Sequence, residues 1–221
     1  MHTLDKTNGN MVSFQKQETL RKAFCNNHND KMYSLTSLST CCLDNERCEA
    51  RRKNGNSICS HCYSFTMQKR FKNLREKLKR NTHFLTTVML EADDIPFVPN
   101  DMLRFESFGD LINTTQVWNY FLIAEKNKHC RCALWTKNPD IIDAAIREFE
   151  ITKPDNLTIV YSSPELNRPH NVDWWFVDKV FTVYDKKHKD NVKINCGARS
   201  CRSCGKCYSN NNDRFINEVL K

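Results

Sequence analysis

The sequence predicts an α/β protein built on an incomplete parallel (β/α) barrel-like sheet, with cysteine-rich N- and C-terminal segments. Three observations lead there. Short apolar runs start at Leu103, Ala133, Leu157 and Lys179, about 30, 24 and 22 residues apart, close to the length of a strand-helix-strand unit. Two of the intervening segments, Thr115 to Lys126 and Pro139 to Glu150, repeat apolar residues at helical spacing and supply crossovers. The last interval, Ser162 to Asp178, carries Pro164, Pro169 and Trp174-Trp175 and reads as a loop, so the barrel is expected to be incomplete.

In chain order, residues 1–221 read as one domain, a length that buries one good core. Residues 1–45 are polar, rich in Asn, Ser and Thr and without a sustained period, which predicts an irregular leader. Residues 46–83 hold a cysteine pair and a basic helix over Tyr63 to Asn81, where Phe65, Phe71, Leu74 and Leu78 recur at helical spacing. Residues 84–185 form the parallel core, through the runs Phe84 to Leu90, Leu103 to Phe108, Ala133 to Thr136, Leu157 to Tyr161 and Lys179 to Tyr184. Residues 186–221 form a cysteine-rich C-terminal segment.

Twelve cysteines would suit a secreted disulfide framework. Met1 to Asn10 lack the apolar stretch of a signal peptide, and no segment nears the roughly 18 apolar residues of a membrane span. A cytoplasmic protein without membrane association is expected, in which clustered thiols bind metal or catalyse. The 34 Lys and Arg against 26 Asp and Glu give a net charge of +8, which favours an anionic small molecule or nucleic acid as partner. Basic residues concentrate at Lys69 to Arg80 and at Lys186 to Lys206; for the first run a solvated helix face is the plainer explanation.

The cysteines carry the chemistry. Cys196-x4-Cys201-x2-Cys204 matches the leading spacing of plant-type ferredoxins, and Cys201-x2-Cys204-x2-Cys207 that of bacterial ones. So compact a run suits an iron-sulfur cluster, whose irons each take a neighbouring thiolate, and a 4Fe-4S centre is the first expectation. Zinc is the alternative, although it more usually joins two knuckles across a longer spacer. Arg199, Arg202 and Lys206 beside the thiols favour thiolate in either case. A second group, Cys42, Cys48, Cys59 and Cys62, forms another site or lends ligands to the first. The two groups share an ending, Cys59-Ser-His-Cys62-Tyr-Ser and Cys204-Gly-Lys-Cys207-Tyr-Ser. Only one of the adjacent Cys41 and Cys42 is expected to ligate, and His61 is a weaker candidate. Cys25, Cys130 and Cys132 lack close-spaced partners and read as small buried hydrophobes.

Parallel α/β folds build their sites at the carboxyl ends of strands. Those ends hold Glu106, Ser107 and Asp110, then Thr136, Lys137 and Asn138, then Ser162 and Ser163, then Tyr184 and Asp185. Glu106 and Asp110 are candidates to orient a substrate or cofactor, Lys137 to bind an anionic group, and Ser162 and Tyr184 to contact a cofactor. Capping and turn roles compete for Asp110, Asn113 and Asn138. No Cys-x3-Cys-x2-Cys triplet, phosphate loop, His-Glu-x2-His or Gly-x-Ser-x-Gly occurs.

The segments Gly55-Asn-Ser-Ile-Cys-Ser-His-Cys-Tyr63, Arg104-Phe-Glu-Ser-Phe-Gly-Asp-Leu111 and Leu134-Trp-Thr-Lys-Asn-Pro139, with the terminal cysteine run, resemble the phage gene product 88 family after about Leu35. The resemblance implies a phage or prophage origin, and a cysteine-bound metal centre on a barrel-like α/β scaffold similar to that of radical S-adenosylmethionine enzymes, a partial TIM barrel. It carries over Cys59, Cys62 and the terminal cysteines, and with them Glu106 and Asp110. Two functions are expected to compete. One is a phage-encoded iron-sulfur protein, a redox or radical-type enzyme acting on a small molecule or nucleotide. The other is a zinc-stabilised nucleic-acid-binding protein that grips phosphates with its basic runs.

Overall fold

In a computed structural model that describes residues 11–26, 35–198, 200–209 and 213–220, seven strands form one sheet in chain order. They are β1 (Cys25–Asn26), β2 (Thr36–Leu38), β3 (Met102–Phe105), β4 (Arg131–Thr136), β5 (Leu157–Ser162), β6 (Lys179–Tyr184) and β7 (Phe215–Val219). The short β1 runs antiparallel to β2, and every neighbouring pair from β2 to β7 is parallel. The sheet is open, since among the described residues no pairing joins β7 back to β1. Among the described residues seven α-helices accompany it: α1 (Ser13–Ala23), α2 (Glu46–Lys53), α3 (Tyr63–Arg70), α4 (Lys72–Thr87), α5 (Thr114–Lys126), α6 (Pro139–Phe149) and the single-turn α7 (Cys201–Cys204).

Strand order that rises by one puts successive right-handed crossovers on one face. On that face Leu103, Phe105, Leu134, Leu157 and Ile159 meet Leu20 of α1, Leu85 of α4, Tyr120 of α5 and Ile142 of α6 in one apolar core. Side chains of this size contribute roughly 1.5–3 kcal/mol each when fully buried. The connection from β5 to β6 has no helix, as expected, and Phe176 and Val177 fill its place in the core. The opposite face is only partly covered. There Tyr208 and Cys207, from the turn after α7, pack on Met102, Ala133 and Trp135.

The four runs from Leu103 onward are strands and the two crossovers are helices, at nearly the expected bounds. Elsewhere the structure departs from the sequence reading. Within residues 1–45, the described residues form α1, β1 and β2 where an irregular leader was expected; residues 1–10 and 27–34 lie outside the described part. The single helix expected over Tyr63 to Asn81 is two, broken at Phe71 without Gly or Pro. The reason is a division of labour: α3 anchors to the loop after β3, while α4 buries Leu78, Phe84 and Leu85 in the core. Phe84 to Leu90 is the end of α4 and its exit, held by Asn119, whose amide donates to Leu85 and Val88 carbonyls and whose oxygen accepts from Leu90 N–H. The C-terminal segment adds β7, where no strand was expected.

The turn after β3 is the tightest part of the scaffold. A Cβ on Gly109 would lie 2.3 Å from Thr40 Oγ1 and 2.7 Å from the Thr40 carbonyl oxygen, so this chain crossing requires glycine. Gly109→Ala is expected to lower stability by about 1–3 kcal/mol in urea unfolding, and wild-type stability would contradict so close an approach.

Candidate metal centre

The loops that leave the carboxyl ends of β2 to β5 gather the first cysteine group. Cys42 begins a 3-10 turn, Cys42–Asp44, just beyond β2. Asn45 caps α2 by accepting from Cys48 N–H, and its amide donates to the carbonyls of Asp110 and Leu111 after β3. Arg51 extends from α2 to the Lys137 carbonyl and Asn138 Oδ1 after β4, with its guanidinium 3.5 Å from Asp110. The turn Ile58–His61, carrying Cys59, is bound to the Pro164 carbonyl after β5 by the N–H of Ile58 and the hydroxyl of Ser57. On α3, Ser64 and Gln68 donate to the Phe108 carbonyl, and Gln68 also donates to Cys42 Sγ at 3.1 Å.

These attachments bring four thiols near enough to influence one another in pairs, Cys42 with Cys62 and Cys48, and Cys48 with Cys59. Cys62 is drawn down to about 6, first by the hydrogen bond that Cys42 donates to its thiolate, with Phe65 and Ser64 N–H groups and the Lys137 charge assisting against burial. Cys42 is held well above the ordinary thiol range by the same bond and by burial. Cys48 is raised by burial and then by Asp110, with Cys59 adding negative charge and Lys137 opposing. Cys41 points elsewhere: its thiol donates to Gln68 Oε1 at 3.0 Å, so Cys42 is the member of the pair that joins the group.

The second group sits on the partly covered face of the sheet. Cys196 N–H donates to Asn217 of β7, Arg202 pairs with Asp101 at 3.1 Å, and the turn Lys206–Tyr208 packs on β4 and β5. Burial raises Cys207 to about 12, with the charges of Cys196, Cys201 and Cys204 adding and Arg104 opposing. Arg199 lies outside the described residues. Among the described residues no two cysteines are joined by a disulfide. Among the described residues no three His, Cys, Asp or Glu side chains are drawn together tightly enough to hold a single ion. The donor chemistry nonetheless fits a metal: crowded buried thiols resist forming thiolates together, and a coordinating cation reverses that by deprotonating its ligands.

The remaining candidates have clear places. Asp110 is buried and accepts from Thr136 Oγ1 at 2.6 Å and from the Leu111 and Lys137 N–H groups. Lys137 stands beside the first group, where its charge lowers Cys48 and Cys62. Ser162 lies at the end of β5, paired in register with Phe181, and Tyr184 is buried at the end of β6. The structure brings neither of them to the first cysteine group through any described contact. His61 instead lines a cavity of about 340 Å³ with Ser57, Glu165 and Arg168. Cys130 and Cys132 are in the core. Sequence reasoning missed Arg51, Arg104, Trp135 and Tyr208. A lone cation inside the apolar run Leu103 to Phe108 was the available signal for Arg104.

Glu106 is fully buried, and its left-handed backbone (φ 57°) turns its side chain toward α5. There Gln116 donates at 2.6 Å and the Tyr120 hydroxyl also donates, while Thr40 donates through N–H and Oγ1. Burial outweighs these bonds and raises the carboxyl from 4.5 to about 7.

A parallel α/β sheet with two gatherings of four cysteines, one over its strand ends and one on its open face, defines a cysteine-rich protein with candidate metal centres. The gene product 88 family model matches residues 2–213, and the chain belongs to that phage family. No curated protein and no solved structure matches it. Among the described residues no helix is long and apolar enough to cross a membrane.

Because the native carboxyl of Glu106 binds a proton more tightly than the unfolded one, its contribution to stability is fullest below about pH 4.5 and is lost as pH rises toward 7. Urea unfolding at both ends of that window should show a loss on the order of 3 kcal/mol, absent in Glu106→Gln. Equal slopes in the two proteins would exclude Glu106 as the cause.

Proposed function

We propose that the chain is a phage-encoded iron-sulfur protein with two centres, serving redox or radical-type chemistry on a small molecule or nucleotide. The observation that carries this reading is that the segments bearing Cys42, Cys48 and Cys59 are tied to the loops at the carboxyl ends of β3, β4 and β5, where such folds place their sites. Cys196, Cys201, Cys204 and Cys207 would hold the second centre. A bound cluster supplies one-electron transfer. Lys137 and Arg51 offset thiolate charge at the first group, and Asn45 and Arg51 fix the helix that carries Cys48. Strand order that follows the chain supports a scaffold of the incomplete-barrel type.

Protein purified without air is expected to be brown, with iron and sulfide in equal amounts. Cys62→Ser and Cys204→Ser should each remove about half of the iron, since each takes a ligand from one centre. Colourless protein holding zinc alone overturns the proposal.

A second reading draws on a different surface. Arg52 and Lys69 lie 4.2 and 4.7 Å from the Phe65 ring centroid, and Arg70 lies over Phe71. Among the described residues these cations, with Lys72, Lys79 and Arg80, form no ion pair with a carboxylate, which suits nucleic-acid phosphates on a zinc-stabilised fold. If all six contact DNA, log affinity should fall against log salt with a slope of about −5; a flat titration removes this reading.

A further inference from the structure

We propose that the open face of the sheet holds an oxyanion-binding site, in which the Arg104 guanidinium and the Tyr208 hydroxyl, set against the Trp135 ring, take a carboxylate or phosphate group. It deepens the reading above by giving the ligand's chemical class, and rests on that reading only for its place beside two metal centres.

Alternation along β3 sends Leu103 and Phe105 into the core and Arg104 to the opposite face. Its guanidinium carbon stands 4.0 Å from the centroid of Trp135. Its Nε is buried without a hydrogen-bond partner, and among the described residues no carboxylate pairs with it. Tyr208 packs its ring 5.7 Å from the same Trp135, and its hydroxyl is likewise buried without a partner. Two orphaned donors against one indole are a costly arrangement unless an acceptor enters between them.

Three other enclosed cations of this fold are satisfied from within: Lys179 donates to the Asp213 carbonyl, Lys153 pairs with Asp178 and Lys16 with Asp94; Arg51 has one buried nitrogen without a hydrogen bond but lies 3.5 Å from the Asp110 carboxylate. Arg104 is the contrast. Its register neighbours Ser37 and Ala133 are small, as is Thr158 beside Ala133, and Ala133 and Thr158 are buried beneath the turn that carries Tyr208. Tyr63, next to Cys62 in the chain, donates its hydroxyl to the Ser107 carbonyl three residues after Arg104, and Tyr208 follows Cys207, so the site has a neighbour of each cysteine group beside it. A planar fork of N–H donors matches an oxyanion in two bonds, the indole fixes the plane of that fork, and the buried Tyr208 hydroxyl supplies a third donor.

The test is titration of inorganic phosphate, and separately of acetate, into the full-length protein, read by tryptophan fluorescence and by the shift in thermal unfolding. Saturable binding of one anion is expected, its preference telling phosphate from carboxylate. Arg104→Gln should weaken it by about tenfold or more, and Tyr208→Phe, which keeps the packing, by several-fold. Binding that is absent, or unchanged in both variants, overturns the proposal. Iron content measured on the same samples separates the two readings: anion binding through Arg104 in iron-free protein leaves this site standing and removes the clusters, whereas iron-loaded protein indifferent to both anions does the reverse.

Discussion

Two carboxylates buried four residues apart, Glu106 and Asp110, constrain everything around the end of β3. A buried carboxylate must fill its acceptor positions from the protein, because water is not there to do it. Glu106 recruits Thr40 from the loop after β2 and Gln116 and Tyr120 from α5. Asp110 recruits Thr136 and the Lys137 N–H after β4, and attracts Arg51 from α2. Thr40 stands two residues before Cys42, and Arg51 three after Cys48. The positions of the thiols are thus consequences of satisfying these carboxylates. Gly109, between them, lets the Thr40 segment come close enough for both sets of bonds to exist.

The two faces of the sheet divide the work. One is sealed by helices and is mainly apolar, with the buried Asn81, Asn119 and Asn127 side chains bonded to loop and helix-end backbone. The other keeps Arg104, Trp135 and Lys179 under a thin cover made by the turn after α7. Such a division follows from strand order. Crossovers that always advance in one direction leave the second face without helices, so it must be covered by a segment of another kind or left to a ligand. The cysteine run is that segment, and it covers only part of the face.

Period and length made β3 to β6, α5 and α6 legible, because each buries a full face and repeats its apolar residues accordingly. Elements that bury little were not. β1 and β2 hold two and three residues, too few for an alternation, and α1 buries only Leu20 and Ala23. The break at Phe71 is invisible locally, since it arises from where α3 and α4 dock. The cysteine groups were legible as spacings, yet the choice of Cys42 over Cys41 depended on Gln68, 26 residues away from Cys42 in the chain. Glu106 illustrates the sharpest limit. Alternation would place it on the open face beside Arg104, and a single left-handed residue moves it to the helix side. The candidate substrate-orienting carboxylate therefore became a brace for the scaffold, and the cation two residues earlier faces the open side.

The two cysteine groups reach their arrangement by different physical routes. The first is drawn from a stretch of chain spanning Cys42 to Cys62 and is held by bonds to the loops after β3, β4 and β5 that do not involve the thiols. Its thiols are positioned by the scaffold, and the cost of bringing them together is met by folding itself. The second is a compact run in which α7 is one turn, capped by Ser200 and ended by Gly205 in the left-handed conformation. The bonds that tie that run to the sheet include the Cys196 N–H to Asn217, the Arg202 pair with Asp101, and Tyr208 against Trp135. Proximity in the chain gathers these thiols at little entropic cost, but it fixes their orientation weakly. A centre at the first group would enter a frame already built, whereas one at the second would have to order its own frame, and that ordering would also press Tyr208 and Cys207 onto the open face where Arg104 waits for an acceptor.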